Sequence, residues 1–147
     1  MKLAIVGATG LVGKEIIRVI QERELAYSEL ILVASKKSIG KEILVNNKSH
    51  MVVGLEKMLE KKPDLALFAA GSEISKEWAP KLADKGCRVV DNSSYWRMSS
   101  KHKLIIPEIN GHQITFDDFI IANPNCSTIQ LLVTIAPIHK AYTIKRI

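Results

Sequence analysis

The stretch that most limits what this chain can become lies at its start, where the apolar run Leu3-Ala4-Ile5-Val6 passes directly into Gly7-Ala8-Thr9-Gly10-Leu11-Val12-Gly13. A short buried strand over Lys2 to Val6 is followed by a glycine turn. A helix comes next, on which Val12, Ile16, Val19 and Ile20 fall on one face at helical spacing. Leu30 to Ala34 reads as a second strand. Strand, tight turn, helix and strand in so short a span form a βαβ unit, which demands a parallel sheet and a right-handed crossover.

The alternation continues downstream. Glu42–Val45 and His50–Val53 read as two short strands around Asn46-Asn47, and Leu65–Ala69 as a buried strand between Pro63-Asp64 and Gly71. Ser75 to Lys85 reads as a helix closed by Gly86, a glycine just past its end. Strands are then expected over Arg88–Val90, Leu104–Ile106 and Phe119–Ala122, and a last helix from about Ser127 to His139 with Pro137 near its end. The fold class is therefore α/β, a Rossmann-like doubly wound and mostly parallel sheet. No repeat, low-complexity tract or linker interrupts it. Thr143–Ile147 reads as the start of another strand that stops without a turn or cap, and the expectation is a domain cut before a further one.

At 147 residues and 47% hydrophobic content, the chain has the size and apolar matter of one ordinary domain. Lys and Arg outnumber Asp and Glu by 21 to 15, which favours anionic partners in a general way. With aromatics at 5% and no aromatic stripe among the basic residues, a nucleic-acid platform is not expected. The two cysteines form no CxxC pair, and a reducing cytoplasm fits them. The N-terminal apolar run ends at Gly7, too short for a secretory signal, and no run has the length of a membrane span. His50, His102, His112 and His139 have no metal-ligand spacing, so no metal is expected.

Three segments carry chemistry. The glycine segment has the context of a dinucleotide fingerprint, between a strand and a helix, in the spacing GxxGxxG. Gly7 permits the tight turn, Gly10 the approach of a pyrophosphate, and Gly13 close helix–strand packing, with the helix N-terminus facing the anion. At the end of the second strand, where NAD-binding units place a carboxylate for the ribose 2′-hydroxyl, the chain reads Ala34-Ser35-Lys36-Lys37-Ser38. Hydroxyls and ammonium groups there favour a 2′-phosphate, hence NADP over NAD.

The second segment, Asn92-Ser93-Ser94-Tyr95-Trp96-Arg97-Met98, comes after a strand's C-terminal end, and Arg97 is a candidate clamp for phosphate or carboxylate. In the third, Ile120 to Thr128, Cys126 lies between an apolar strand and a helix. Unpaired N–H groups at a helix N-terminus favour a thiolate, and thus a nucleophile.

In order and approximate spacing, GATGLVG, ASKKSIGK, FAAGSEIS, DNSSYWRM, PEIN and IANPNCST resemble the bacterial aspartate-semialdehyde dehydrogenases over essentially the whole chain. N-acetylglutamyl-phosphate reductases look similar but carry glycine where this chain has Asn125. The resemblance implies that Thr9, Gly10, Leu11 and Val12 contact the NADP pyrophosphate, that Lys37 and Ser38 meet the 2′-phosphate, and that Gly71 of FAAGSEIS borders the same site. Family members usually have Arg at Lys37, so a two-pronged grip becomes a point contact.

Arg97 would bind phosphate or the acyl-phosphate, and Cys126, with Asn125 beside it, would form the acyl thioester. The implied activity is reductive dephosphorylation of 4-aspartyl phosphate to aspartate 4-semialdehyde, towards lysine, threonine and methionine. The family's chain is roughly twice as long and forms a homodimer or higher homo-oligomer. The resemblance thus implies residues 1–147 to be the cofactor-binding half, with the substrate and dimerisation domain elsewhere and little activity in isolation. The readings set against it are an N-acetylglutamyl-phosphate reductase-like enzyme and a non-catalytic nucleotide-binding module.

Overall fold

The computed structural model describes residues 1–147. Eight strands and five helices succeed one another as β1 (Lys2–Val6), α1 (Leu11–Glu22), β2 (Glu29–Val33), β3 (Glu42–Val45), β4 (Lys48–Met51), α2 (Leu55–Lys61), β5 (Leu65–Phe68), α3 (Ser72–Ala83), β6 (Arg88–Asp91), β7 (Lys103–Leu104), α4 (Pro107–Asn110), β8 (Ile120–Ala122) and α5 (Cys126–Tyr142). Six strands form one sheet in the order β2-β1-β5-β6-β8-β7. Every neighbouring pair in it is parallel. The chain leaves β1 to one side for β2, then crosses back to place β5 on β1's other side. This reversal is a topological switch point, and a crevice opens there beyond the strands' carboxyl ends.

Burial explains why these residues make strands. Along β1, Leu3 and Ile5 face one side and Ala4 and Val6 the other, and all four are at most 1% exposed. A strand covered on both faces reads as a continuous apolar run, as parallel strands do. On one face Leu3, Ile5, Leu30 and Leu32 pack against Ile17 and Ile20 of α1 and against Val45 of β3 and Val52 just after β4. On the other, Val6, Val33 and Phe68 meet Met58 of α2 and Trp78, Ala79 and Leu82 of α3.

Several elements differ from the expectation. Helix α1 buries Gly13, Ile17 and Ile20, whereas Val12 and Val19 are 51% and 39% exposed. The stripe at positions 13, 17 and 20 lets the helix lie close on the sheet, and that rotation turns Val12 and Val19 outward into an open apolar groove with Leu25 and Leu67. The fourth strand begins at Lys48 instead of His50, because Asn46 and Asn47 both adopt positive φ, 50° and 60°, and form a two-residue hairpin turn.

Helix α2 occupies Leu55–Lys61, where no helix is expected from the sequence. Helix α3 starts at Ser72, three residues earlier than expected, with Gly71 as its N-cap residue. Helix α5 continues through Pro137 to Tyr142. No strand forms over Thr143–Ile147, because Thr143 takes a left-handed conformation and its N–H returns to the carbonyl of His139, closing the helix.

Candidate functional site at the carboxyl edge of the sheet

The turn after β1 is shaped by two close approaches. Gly7 has φ +93°, and a Cβ there would lie 2.6 Å from the carbonyl oxygen of Ala69 at the end of β5. A Cβ on Gly13 would lie 2.1 Å from the oxygen of Gly7. Neither position admits a side chain while α1 stays seated on the turn. The N–H groups of Gly7 and Ala8 donate to the carbonyl of Val33 at 2.8 and 3.0 Å, which ties the turn to β2. By contrast, the N–H groups of Thr9, Leu11, Val12 and Gly13 donate to no protein acceptor. They are the free donors of a helix N-terminus, available to an anion.

Beside this turn lies a crevice of about 320 Å³. Gly7, Thr9 and Gly10 form one wall, and Ala34 and Ser35 after β2 another; Leu55 of α2, Ala69 and Ala70 after β5, and Ile74 of α3 complete it. Of the residues singled out in the sequence, Gly7, Thr9, Gly10 and Ser35 line the crevice. Gly13 sits beneath the turn, and the side chains of Leu11 and Val12 enter the apolar groove on the outer face of α1. Gly71 comes directly after the lining residues Ala69 and Ala70 but does not line the crevice itself.

Lys37 and Ser38 occupy a single 3-10 turn, Lys36–Ser38, beyond β2. Lys36 and Lys37 are exposed, and neither pairs with a carboxylate. Two ammonium groups and two hydroxyls, with no acidic residue among positions 34–38, thus follow β2, a donor set that can meet a phosphate. The residues present fit the phosphates of a dinucleotide.

Further along the same edge, Cys126 is the first residue of α5 and its thiol is exposed. Asn125 caps this helix, its Oδ1 accepting from the N–H of Ser127 at 2.9 Å. The other cysteine, Cys87, is 1% exposed just before β6. Burial pushes its thiol up to about 12, aided by the negative charge of Asp64, so it is held as an inert neutral group.

Arg97 lies in the loop after β6. Its Nε donates to the carbonyl of Asn123 and its Nη2 to that of Asn92, each at 2.9 Å. Two of the five guanidinium donors are thus committed to the chain itself. Trp96 anchors this loop by donating from Nε1 to Ser75 Oγ at 2.8 Å, and His102 packs against the Trp96 ring while bonding Ser99 through Nδ1. Partial burial, with Lys101 nearby, lowers the pKa of His102, in keeping with a structural role.

Sequence reading does not find the apolar wall of the crevice, Leu55 and Ile74, because one belongs to the unexpected α2 and the other to the unexpected first turn of α3. It includes Asn92 and Asn123 in two of its segments but gives them no role, since they face each other only once β6 and β8 are paired.

Comparison with known proteins adds an independent finding. The profile of the family described as "Semialdehyde dehydrogenase, NAD binding domain" matches residues 2–116. The chain is similar to the aspartate-semialdehyde dehydrogenase of Aquifex aeolicus (strain VF5), with 47% identity over 151 residues that cover 99% of this chain and 44% of that protein. It is also similar to the aspartate-semialdehyde dehydrogenase of Vibrio mimicus, 46% identical over 149 residues, covering 99% of this chain and 46% of that one. Among solved structures, aspartate semialdehyde dehydrogenase II of Vibrio cholerae complexed with ASA superposes with a TM-score of 0.93 at 44% identity, covering 99% of this chain and 48% of the other. The chain spans less than half the length of the curated relatives it matches.

Proposed function

Since the chain belongs to the semialdehyde dehydrogenase family, whose NAD-binding domain it carries, we propose that it is the cofactor-binding and thiol-bearing half of an NADP-dependent aspartate-semialdehyde dehydrogenase. The observation that carries this reading is the exposed thiol of Cys126 at the N-terminus of α5, on the same sheet edge as a crevice walled by the glycine turn. A module that only bound a nucleotide would have no use for that thiol.

In this reading the N–H groups of Thr9, Leu11 and Val12 hold the pyrophosphate, with Gly10 giving it close access. Ser35, Lys37 and Ser38 hold the 2′-phosphate. The sulfur of Cys126 bonds to the acyl carbon of 4-aspartyl phosphate as the bond to phosphate breaks, and phosphate leaves. Cys126 then carries the acyl group as a thioester until reduction frees the thiol and the semialdehyde. When bound, the dinucleotide supplies the hydride for that reduction. Asn125 keeps the first turn of α5 intact around the nucleophile, and the donors of Arg97 not used internally face the departing phosphate. The remaining substrate-holding and proton-transferring groups belong to the other half of the enzyme. The isolated chain should therefore bind cofactor without appreciable turnover.

Fluorescence titration with NADPH and NADH tests the cofactor assignment. NADPH is expected to bind more tightly, and Lys37→Ala to reduce the preference by about tenfold, equivalent to about 1.4 kcal/mol. Equal affinity of the wild type for both cofactors would refute the role given to Ser35, Lys37 and Ser38.

A further inference from the structure

We infer that Asn92 and Asn123 are positioning residues, joined through Arg97 into a clasp that fixes the Cys126 turn relative to the strand ends walling the crevice. The clasp is read from geometry, and only the use made of the thiol rests on the function proposed above. Strands β6 and β8 are in register to their last residues, Asp91 against Ala122. The next residue on each is asparagine, and Asn123 Nδ2 donates to Asn92 Oδ1 at 2.6 Å. The side-chain amides thereby add a rung to the ladder where the backbones are about to diverge into loops.

Asn92 also reaches the other way. Its Nδ2 and its backbone N–H both donate to the carbonyl of Phe68, the last residue of β5, at 3.0 Å. Three neighbouring strand ends are thus linked in series. Arg97 closes the figure by donating to the carbonyls of both Asn92 and Asn123, so these two residues are joined by their side chains and again through one guanidinium.

The clasp matters because of its nearness to the thiol along the chain. Only Pro124 and Asn125 separate Asn123 from Cys126. Pro124 is buried with a ring-locked φ, and Asn125 is occupied as the helix cap. This short, stiff connection transmits any displacement of Asn123 to the first turn of α5. The crevice wall is tied in from the opposite side, because Phe68 immediately precedes the lining residues Ala69 and Ala70. Asn92 and Asn123 therefore set the thiol's position with respect to the crevice without touching a reacting atom, while Arg97 joins them through two donors and keeps the others for the phosphate.

The test is a double-mutant cycle on the full chain, comparing wild type, Asn92→Ala, Asn123→Ala and the double variant. Two quantities are read, the rate of iodoacetamide alkylation at Cys126 by mass mapping and the melting temperature. Each single variant is expected to slow alkylation of Cys126 at least fivefold, as the first turn of α5, released from the strand ends, frays and no longer holds its N–H groups around the thiol. The double variant should be no slower than twofold beyond either single, because both break one unit. Cys87 should stay unlabelled, which reports an intact core. Rates within twofold of wild type, with only the melting temperature lowered, would overturn the inference and leave the pair as a stabiliser of the sheet. If either alanine variant labels at Cys87 and so has lost its fold, Asn92→Ser and Asn123→Ser are measured against the same limits. The cycle uses no cofactor, so absence of NADPH binding by the wild type refutes the proposed function while the clasp is still decided by the thiol.

Discussion

Two thiols share this chain and their surroundings give them opposite fates. Cys126 is exposed at a helix start, whereas Cys87 is buried with its thiol pushed up to about 12. Iodoacetamide near neutral pH should alkylate Cys126 and leave Cys87 untouched in the folded protein, with both labelled after denaturation. Preferential labelling of Cys87 would contradict the assignment. The difference is legible from the chain, since one cysteine lies at a strand–helix junction and the other opens an apolar strand. The glycines are legible for the same reason, because their roles are local. Asn92 and Asn123 are not: 31 positions apart, they acquire a meaning only through the register of β6 and β8, which no short-range pattern encodes.

Among the elements, strands show through the sequence more faithfully than helices. A parallel strand buried on both faces is a plain apolar run, so β1, β2, β5 and β6 can be recognised within a residue or so. Helix α2 spans seven residues, LEKMLEK, too few to show a period, and its helical state depends on Met58 packing into the core. On α1 the apolar residues exceed what one face can bury, so periodicity alone cannot say whether Ile17 or Val19 meets the sheet.

The short connection from α4 to β8 is held by charge. Asp118 Oδ2 accepts from Lys103 Nζ at 2.7 Å and from the hydroxyl of Thr115 at 2.8 Å, and also from the Thr115 N–H. The bond from Lys103, reinforced by those from Thr115, holds the Asp118 carboxyl down to about 2. A carboxyl depressed in the folded state stabilises the fold when ionised. Its contribution is complete above the ordinary aspartate value near 4 and is lost as pH falls towards 2. The melting temperature of wild type should therefore drop more steeply between pH 4 and 2 than that of Asp118→Asn. Parallel curves for the two proteins would show that this contact has no effect on stability.

For the molecule as a whole, the α/β class and parallel sheet are set by the first βαβ unit together with the alternation after it. Less predictable is where covered surface ends. Helix α5 is apolar over most of its seventeen residues yet buries none of them, and no helix of the chain is long and apolar enough to cross a membrane. Hydrophobic content therefore locates the core in the sheet but misleads about this helix.

The β3–β4 hairpin has a practical consequence of its own. Its turn, Asn46-Asn47, lies beside the end of α1 and the approach to β2, near Glu24 and Tyr27, whereas the crevice and Cys126 are at the opposite ends of the strands. The hairpin is held through Val45 and Val52, not through its tip. A reporter peptide or affinity tag spliced between Asn46 and Asn47 should be tolerated, as insertions at exposed loop tips are, and should leave affinity for the nicotinamide dinucleotide within twofold of wild type. That site offers a handle for immobilising or labelling the protein with its chemical edge facing away from the support.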